Sequence, residues 1–143
     1  LAAGESPIDG VRELEEELGV VADPNDLMLL GERRLVDDSG EGQLNKELTS
    51  VFLLRDDRPL DGYVLQTSEV DAVFDAPISD LLQLFAGDLD TIELSGVQHA
   101  GSPDAYPVTI SANLEDFVPG DSYWVNLFVM CERFLNGEQP LAI

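Results

Sequence analysis

The alternation of apolar and polar positions divides the chain into short elements. Ser6-Pro7 reads as an N-cap followed by proline in the first helical turn, and Val11, Leu14 and Leu18 recur at helical spacing until Gly19 supplies a stop. A helix is therefore expected from about Pro7 to Leu18. Asp23, Pro24, Asn25 and Asp26 form a turn. The runs LMLLGERRLV and LTSVFLLR then read as neighbouring strands separated by the polar loop DDSGEGQLNK.

After the turn RDDRPLDGY, the segment VDAVFDAP sets Val70, Ala72 and Phe74 against Asp71, Val73 and Asp75, which is strand alternation ended by Pro77. Ser79 is expected to cap a short helix, DLLQLFAG. TIELSGVQ and YPVTISA read as strands flanking the loop HAGSPDA. Asp121 or Ser122 is expected to cap a last helix whose apolar stripe is Trp124, Leu127, Phe128, Cys131, Phe134 and Leu135. With no internal repeat or low-complexity linker, the pattern predicts a single domain of mixed α and β structure.

Composition narrows the function. The chain has 143 residues and is 44% hydrophobic, enough for a globular core. It carries 29 acidic against 7 basic residues, a formal charge of −22, and Lys46 is its single lysine. Phosphate backbones and anionic membranes are bound by clustered cations, so neither nucleic acid nor a membrane surface is an expected partner. So large an acidic excess with so little lysine also suggests adaptation to high salt. Cys131 stands alone, which excludes an intramolecular disulfide and suits a reducing compartment, with cytoplasm the default expectation. The chain opens on Leu1 without a signal-peptide pattern, and the start of the protein is expected to be missing.

The candidate chemistry lies in the first helix. Glu13, Glu16 and Glu17 stand at i, i+3 and i+4, placing three carboxylates on one helical face where like charges repel. In a chain this acidic, such a run is more often a solvated surface. It can equally hold a hard divalent cation, which binds carboxylate oxygens. Spacing alone leaves both open.

The residues around the run favour the cation. GES followed by RELEEELGV resembles the Nudix box, G-x5-E-x7-R-E-U-x-E-E-x-G-U with U a bulky aliphatic residue. Arg12, Glu13, Leu14, Glu16, Glu17, Gly19 and Val20 match its second half at every fixed position, and Glu5 matches the earlier glutamate. Six residues separate Glu5 from Arg12 where the pattern has seven, and the first glycine of the pattern would precede Leu1. More loosely, LQTSEVDAVFDAPISDLLQLF resembles bacterial members often compared with isopentenyl diphosphate isomerase.

The resemblance implies an α/β fold, a Nudix-type α/β/α sandwich with a mixed β-sheet, residues 1–143 being one domain that lacks its N-terminal strands. It implies a pyrophosphohydrolase that uses Mg²⁺ or Mn²⁺ to cleave a small-molecule diphosphate linked to another moiety such as a nucleoside. Glu13, Glu16 and Glu17 would face the metal, and Glu5 and Arg12 would orient the box. Glu13, Glu16 and a general base, for which Glu69 is the candidate, would make up the catalytic set. The substrate-binding residues are left unassigned, and a homodimer is left open. The alternatives are a non-catalytic Nudix-like module that binds a nucleotide or a protein, and an isomerase-like enzyme, which would need a cysteine facing an alkene.

The remaining notable side chains have plainer readings. His99 reads as a surface residue, with no second histidine or nearby cysteine to make a zinc site. Cys131 reads as a small hydrophobe of the last helix, and Tyr123 and Trp124 as core or interface. Arg33, Arg34 and Arg55 could reach phosphates from their strands, but pairing with the surrounding acids is the simpler expectation.

Overall fold

The computed structural model describes residues 6–38, 44–119, 122–139 and 141–143, with the side chains of 34–38 and 44–48 outside that description. Helix α1 spans Pro7–Leu18, the limits expected from Ser6-Pro7 and Gly19. A 3₁₀ turn, Pro24–Asp26, follows, in which the Asp23 carboxylate accepts the backbone N–H of Asn25. Strands β1, Met28–Asp38, and β2, Leu44–Leu53, pair antiparallel with a bulge between Leu29 and Gly31. The pairing runs from Met28 opposite Leu53 to Asp38 opposite Leu44, so the ends of the expected polar loop are zipped into the hairpin. A ladder is made by backbone groups, and polar side chains do not stop it where they stay solvated.

A second 3₁₀ turn, Leu60–Gly62, lies within the expected RDDRPLDGY turn. Strand β3, Ala72–Asp75, then leads through Pro77 into α2, Ile78–Ala86. The cap of α2 is Pro77, not Ser79. Proline fixes φ near the value a helix start needs and has no N–H to leave unpaired, so the helix begins one residue before the expected cap. Strands β4, Ile92–Gln98, and β5, Tyr106–Ala112, complete a sheet in the order β3-β4-β5. A last 3₁₀ turn, Leu114–Asp116, precedes α3, Tyr123–Leu135. Ser122 is its N-cap residue without a side-chain hydrogen bond, and Asp121, the other expected cap, lies outside the described residues.

The architecture is thus the expected mixed α/β class, with three helices and two sheets among the described residues. Both sheets are antiparallel, so no mixed-direction sheet forms among these strands.

The core lies where α2 and α3 cover the three-stranded sheet. Leu81 and Leu84 of α2, Ile92 and Leu94 of β4, Ala112 of β5 and Phe128 of α3 form one buried cluster, with Phe74, Phe85, Phe117 and Trp124 packed against it. β4 shows the period of two directly: Ile92, Leu94 and Gly96 are buried, while Glu93 and Ser95 are exposed. Fully burying one such leucine contributes on the order of 2 kcal/mol. Trp124 stacks on Phe128 at 5.9 Å and donates its indole N–H to the Val118 carbonyl, so its polar edge is satisfied inside the aromatic group. Of the expected α3 stripe, Trp124 and Phe128 join this core, Leu127, Cys131 and Phe134 are half-buried, and Leu135 is exposed.

Candidate active site

The sequence shapes α1 at both ends. The Asp9 carboxylate accepts the backbone N–H of Ser6 at 2.8 Å and the Ser6 hydroxyl at 2.7 Å, closing the first turn. The Ser6 hydrogen bonds, the backbone one first, hold the Asp9 carboxyl below its ordinary value. At the other end Gly19 is left-handed, φ +66°, and its N–H donates to the Glu15 carbonyl while that of Val20 donates to Leu14.

Between these ends the glutamates divide. Glu13 and Glu17, one turn apart, line an open groove of about 280 Å³ together with Leu14, Leu18, Phe52 and Leu54. Glu16 is not part of its lining. Its two oxygens each accept from Nη1 of Arg12 at 3.0 Å, in an exposed i,i+4 pair. Arg12, expected to orient the box, therefore pairs with Glu16, and Glu5 lies outside the described residues. Glu15 is exposed.

No residue of α1 is fully buried, and its C-terminal end is tied down by backbone hydrogen bonds. The segment Tyr63–Gln66 straps it down. Gln66 N–H donates to the Glu17 carbonyl at 2.8 Å, Val64 N–H to Leu18 at 3.0 Å, and Leu65 N–H to Ala100 at 3.0 Å on the far side. The close approach needs a glycine on each side of Val64. A Cβ on Gly19 would stand 2.8 Å from the Val64 Cβ, and one on Gly101, φ +80°, 2.7 Å from its Cα.

Glu69 follows the same strap and is not part of the groove lining. Its N–H donates to the Gln66 carbonyl in a tight turn, so it lies three residues beyond the amide that caps Glu17, and its side chain is exposed.

Sequence reasoning missed Arg58. Its Nη1 donates to the Gly19 carbonyl at 3.2 Å, its Nε lies 2.6 Å from the Asp56 carboxylate, and its guanidinium covers the Tyr63 ring at 5.2 Å. Burial alone would raise the Asp56 carboxyl, but the close Arg58 guanidinium and a hydrogen bond from the Arg58 backbone N–H hold it below its ordinary value. A proline-flanked RDDRP turn carries no signal that its second arginine reaches back to a helix end.

No protein-family profile matches this chain, and no solved structure does. It is 29% identical over 119 residues to an uncharacterized Nudix hydrolase of Clostridium acetobutylicum, a stretch covering 83% of this chain and 57% of that protein. The match supports Nudix superfamily membership. The chain thus spans little more than half the length of the relative it matches.

Nudix hydrolases generally use divalent metals, and the donors on α1 suit that role in kind. Carboxylate oxygens are the ligands of hard cations, and Mg²⁺ is typically held by one or two protein carboxylates, with water and substrate phosphate in its other positions. Glu13 and Glu17 offer two on one groove wall. Among the described residues no three acidic, histidine or cysteine side chains converge on one point. The fit is therefore to a shared protein–substrate site, not to a closed protein cage.

The other residues weighed from sequence have structural partners. Arg33 donates to the Pro119 carbonyl at 2.9 Å and lies 4.1 Å over the Tyr123 ring, and among the described residues it forms no ion pair with an acid. Arg55 does pair with an acid, Asp57, at 2.9 Å. The side chain of Arg34 lies outside the described residues. His99 sits at φ +52°, donates its N–H to the Asp71 carbonyl and holds its ring 3.4 Å from the Asp71 carboxylate. Cys131 is half-buried on α3 and is not part of the groove lining, and burial pushes its thiol up. A raised thiol away from the groove gives an isomerase reading no support. No helix among the described residues is long and apolar enough to cross a membrane.

Proposed function

We propose that this Nudix-type chain hydrolyses a diphosphate linked to another moiety, with Glu13 and Glu17 holding Mg²⁺ or Mn²⁺ at the groove. The observation that carries the reading is that the box helix turns these two carboxylates, and not Glu15, onto the groove wall. When bound, the cation would neutralise phosphate charge and lower the pKa of an attacking water. Glu13 and Glu17 would fix its position, and Arg12 would restrain Glu16, the third box carboxylate, beside them. Glu69, on the turn that follows the strap, is the proposed proton acceptor for the water. Attack on phosphorus would break the anhydride P–O bond, leave one phosphoryl group on each product and release the water proton to that base.

The charge of −22 is compatible with a polyanionic substrate, because a bridging cation inverts the local field. The test is a panel of nucleoside triphosphates, nucleoside diphosphate sugars, dinucleoside polyphosphates and isoprenoid diphosphates, assayed for phosphate or monophosphate release with Mg²⁺ and with a chelator. Chelator-sensitive release is expected, lost in Glu13→Gln and Glu17→Gln and retained in Glu15→Gln. Equal loss in the Glu15 variant, or no loss in the other two, would reduce the glutamates to a solvated surface.

A further inference from the structure

Helix α1 ends unfavourably by its own sequence. Its last turn carries Glu15, Glu16 and Glu17 and no basic residue, so three carboxylates crowd the negative end of the helix dipole. The cation that would relieve this comes from 39 residues further along the chain, where Arg58 donates to the Gly19 carbonyl. Arg58 is aimed there by three restraints: the Asp56 carboxylate at its Nε, the Tyr63 ring beneath it, and burial that leaves 26% of its side chain exposed. With Gln66 and Val64 donating to Glu17 and Leu18, consecutive carbonyls from Glu17 to Gly19 are all capped by the segment 58–66.

We propose that Arg58 is a positioning residue for Glu17: it supplies the positive charge that the last turn of α1 lacks, locks that turn, and thereby sets one of the two carboxylates that face the groove. The inference rests on the reading above, in which Glu17 holds a divalent cation. A guanidinium suits the task because it can meet the carbonyl, the carboxylate and the aromatic face at once, where an ammonium is a single point charge.

The experiment compares the whole chain with Arg58→Met, which keeps the apolar stem, and Arg58→Lys, which keeps the charge. Mn²⁺ affinity is read by electron paramagnetic resonance, and exchange of the Val64 and Gln66 amides by NMR. Arg58→Met should weaken Mn²⁺ binding by roughly tenfold or more, the scale of losing a group that orients a metal ligand. It should also speed exchange at both amides, and Arg58→Lys should recover part of each effect. In a Glu17→Gln background, Arg58→Met should change Mn²⁺ binding by less than about twofold, a coupling that a merely structural role would not produce.

Wild-type affinity in Arg58→Met, or an undiminished loss in the Glu17→Gln background, would overturn the proposal. If the wild-type chain binds no Mn²⁺, the functional reading fails by itself, and the amide exchange still decides whether Arg58 holds the helix end. If Arg58→Met does not fold, Asp56→Asn, which frees the guanidinium while keeping its charge, takes its place with the same outcomes.

Discussion

Substituting Gly101 with alanine probes the strap that ties α1 to the rest of the protein. The new Cβ would lie 2.7 Å from the Val64 Cα and 2.9 Å from the Tyr63 carbonyl oxygen, distances at which backbone has to shift. Val64 cannot retreat freely, because its N–H is committed to Leu18 and that of Leu65 to Ala100. An alanine at φ +80° costs about 1 kcal/mol for the left-handed backbone alone. Forcing the overlap adds about 1–3 kcal/mol, the usual range for overpacking.

Gly137 provides the control, since it is also left-handed, φ +72°, but has nothing within 4 Å of a new Cβ. Its alanine variant should lose only the backbone part. For a chain of 143 residues each kcal/mol moves Tm by about 3 °C. Gly101→Ala should therefore lower Tm by about 6–12 °C and Gly137→Ala by about 3 °C, measured by circular dichroism in one buffer without divalent metal. Equal shifts in the two variants would show that the approach of Val64 to Gly101 is not tight, and the account of how α1 is held would be wrong.

Two further outcomes follow from charge. Because the folded Asp56 carboxyl lies below its ordinary value of 3.8, it contributes stability above about pH 4 that is lost as pH falls through the folded value. Urea midpoints between pH 5 and 2 should accordingly fall less steeply in Asp56→Asn than in wild type, and parallel curves would refute the pairing. With a net charge of −22, Tm should rise between dilute buffer and about 1 M KCl, where the Debye length shrinks to about 3 Å. A flat or falling Tm would show that self-repulsion does not limit the fold.

The sequence alone determined what depends on neighbours a few residues apart. The span of α1 follows from Ser6-Pro7 at one end and a left-handed Gly19 at the other, and the buried face of β4 follows from simple alternation. The box spacing likewise marks Glu13, Glu16 and Glu17 as a set, because positions i, i+3 and i+4 share a helical face. Local rules fell short where a competing local feature was stronger, as when Pro77 took the cap expected of Ser79. They also fell short where pairing is made by backbone, as in the hairpin that extends to Asp38 and Leu44.

Tertiary structure decided which glutamates face the groove. Helical spacing put all three on one face, but the face is about 100° wide, and only the position of β2 and the reach of Arg12 separate Glu13 and Glu17 from Glu16. It also brought Arg58 to the end of α1 across 39 residues of chain. A helix end advertises its missing donors in its own sequence, but the donors that satisfy it can come from anywhere the chain returns, and that return is fixed by packing and leaves no local trace.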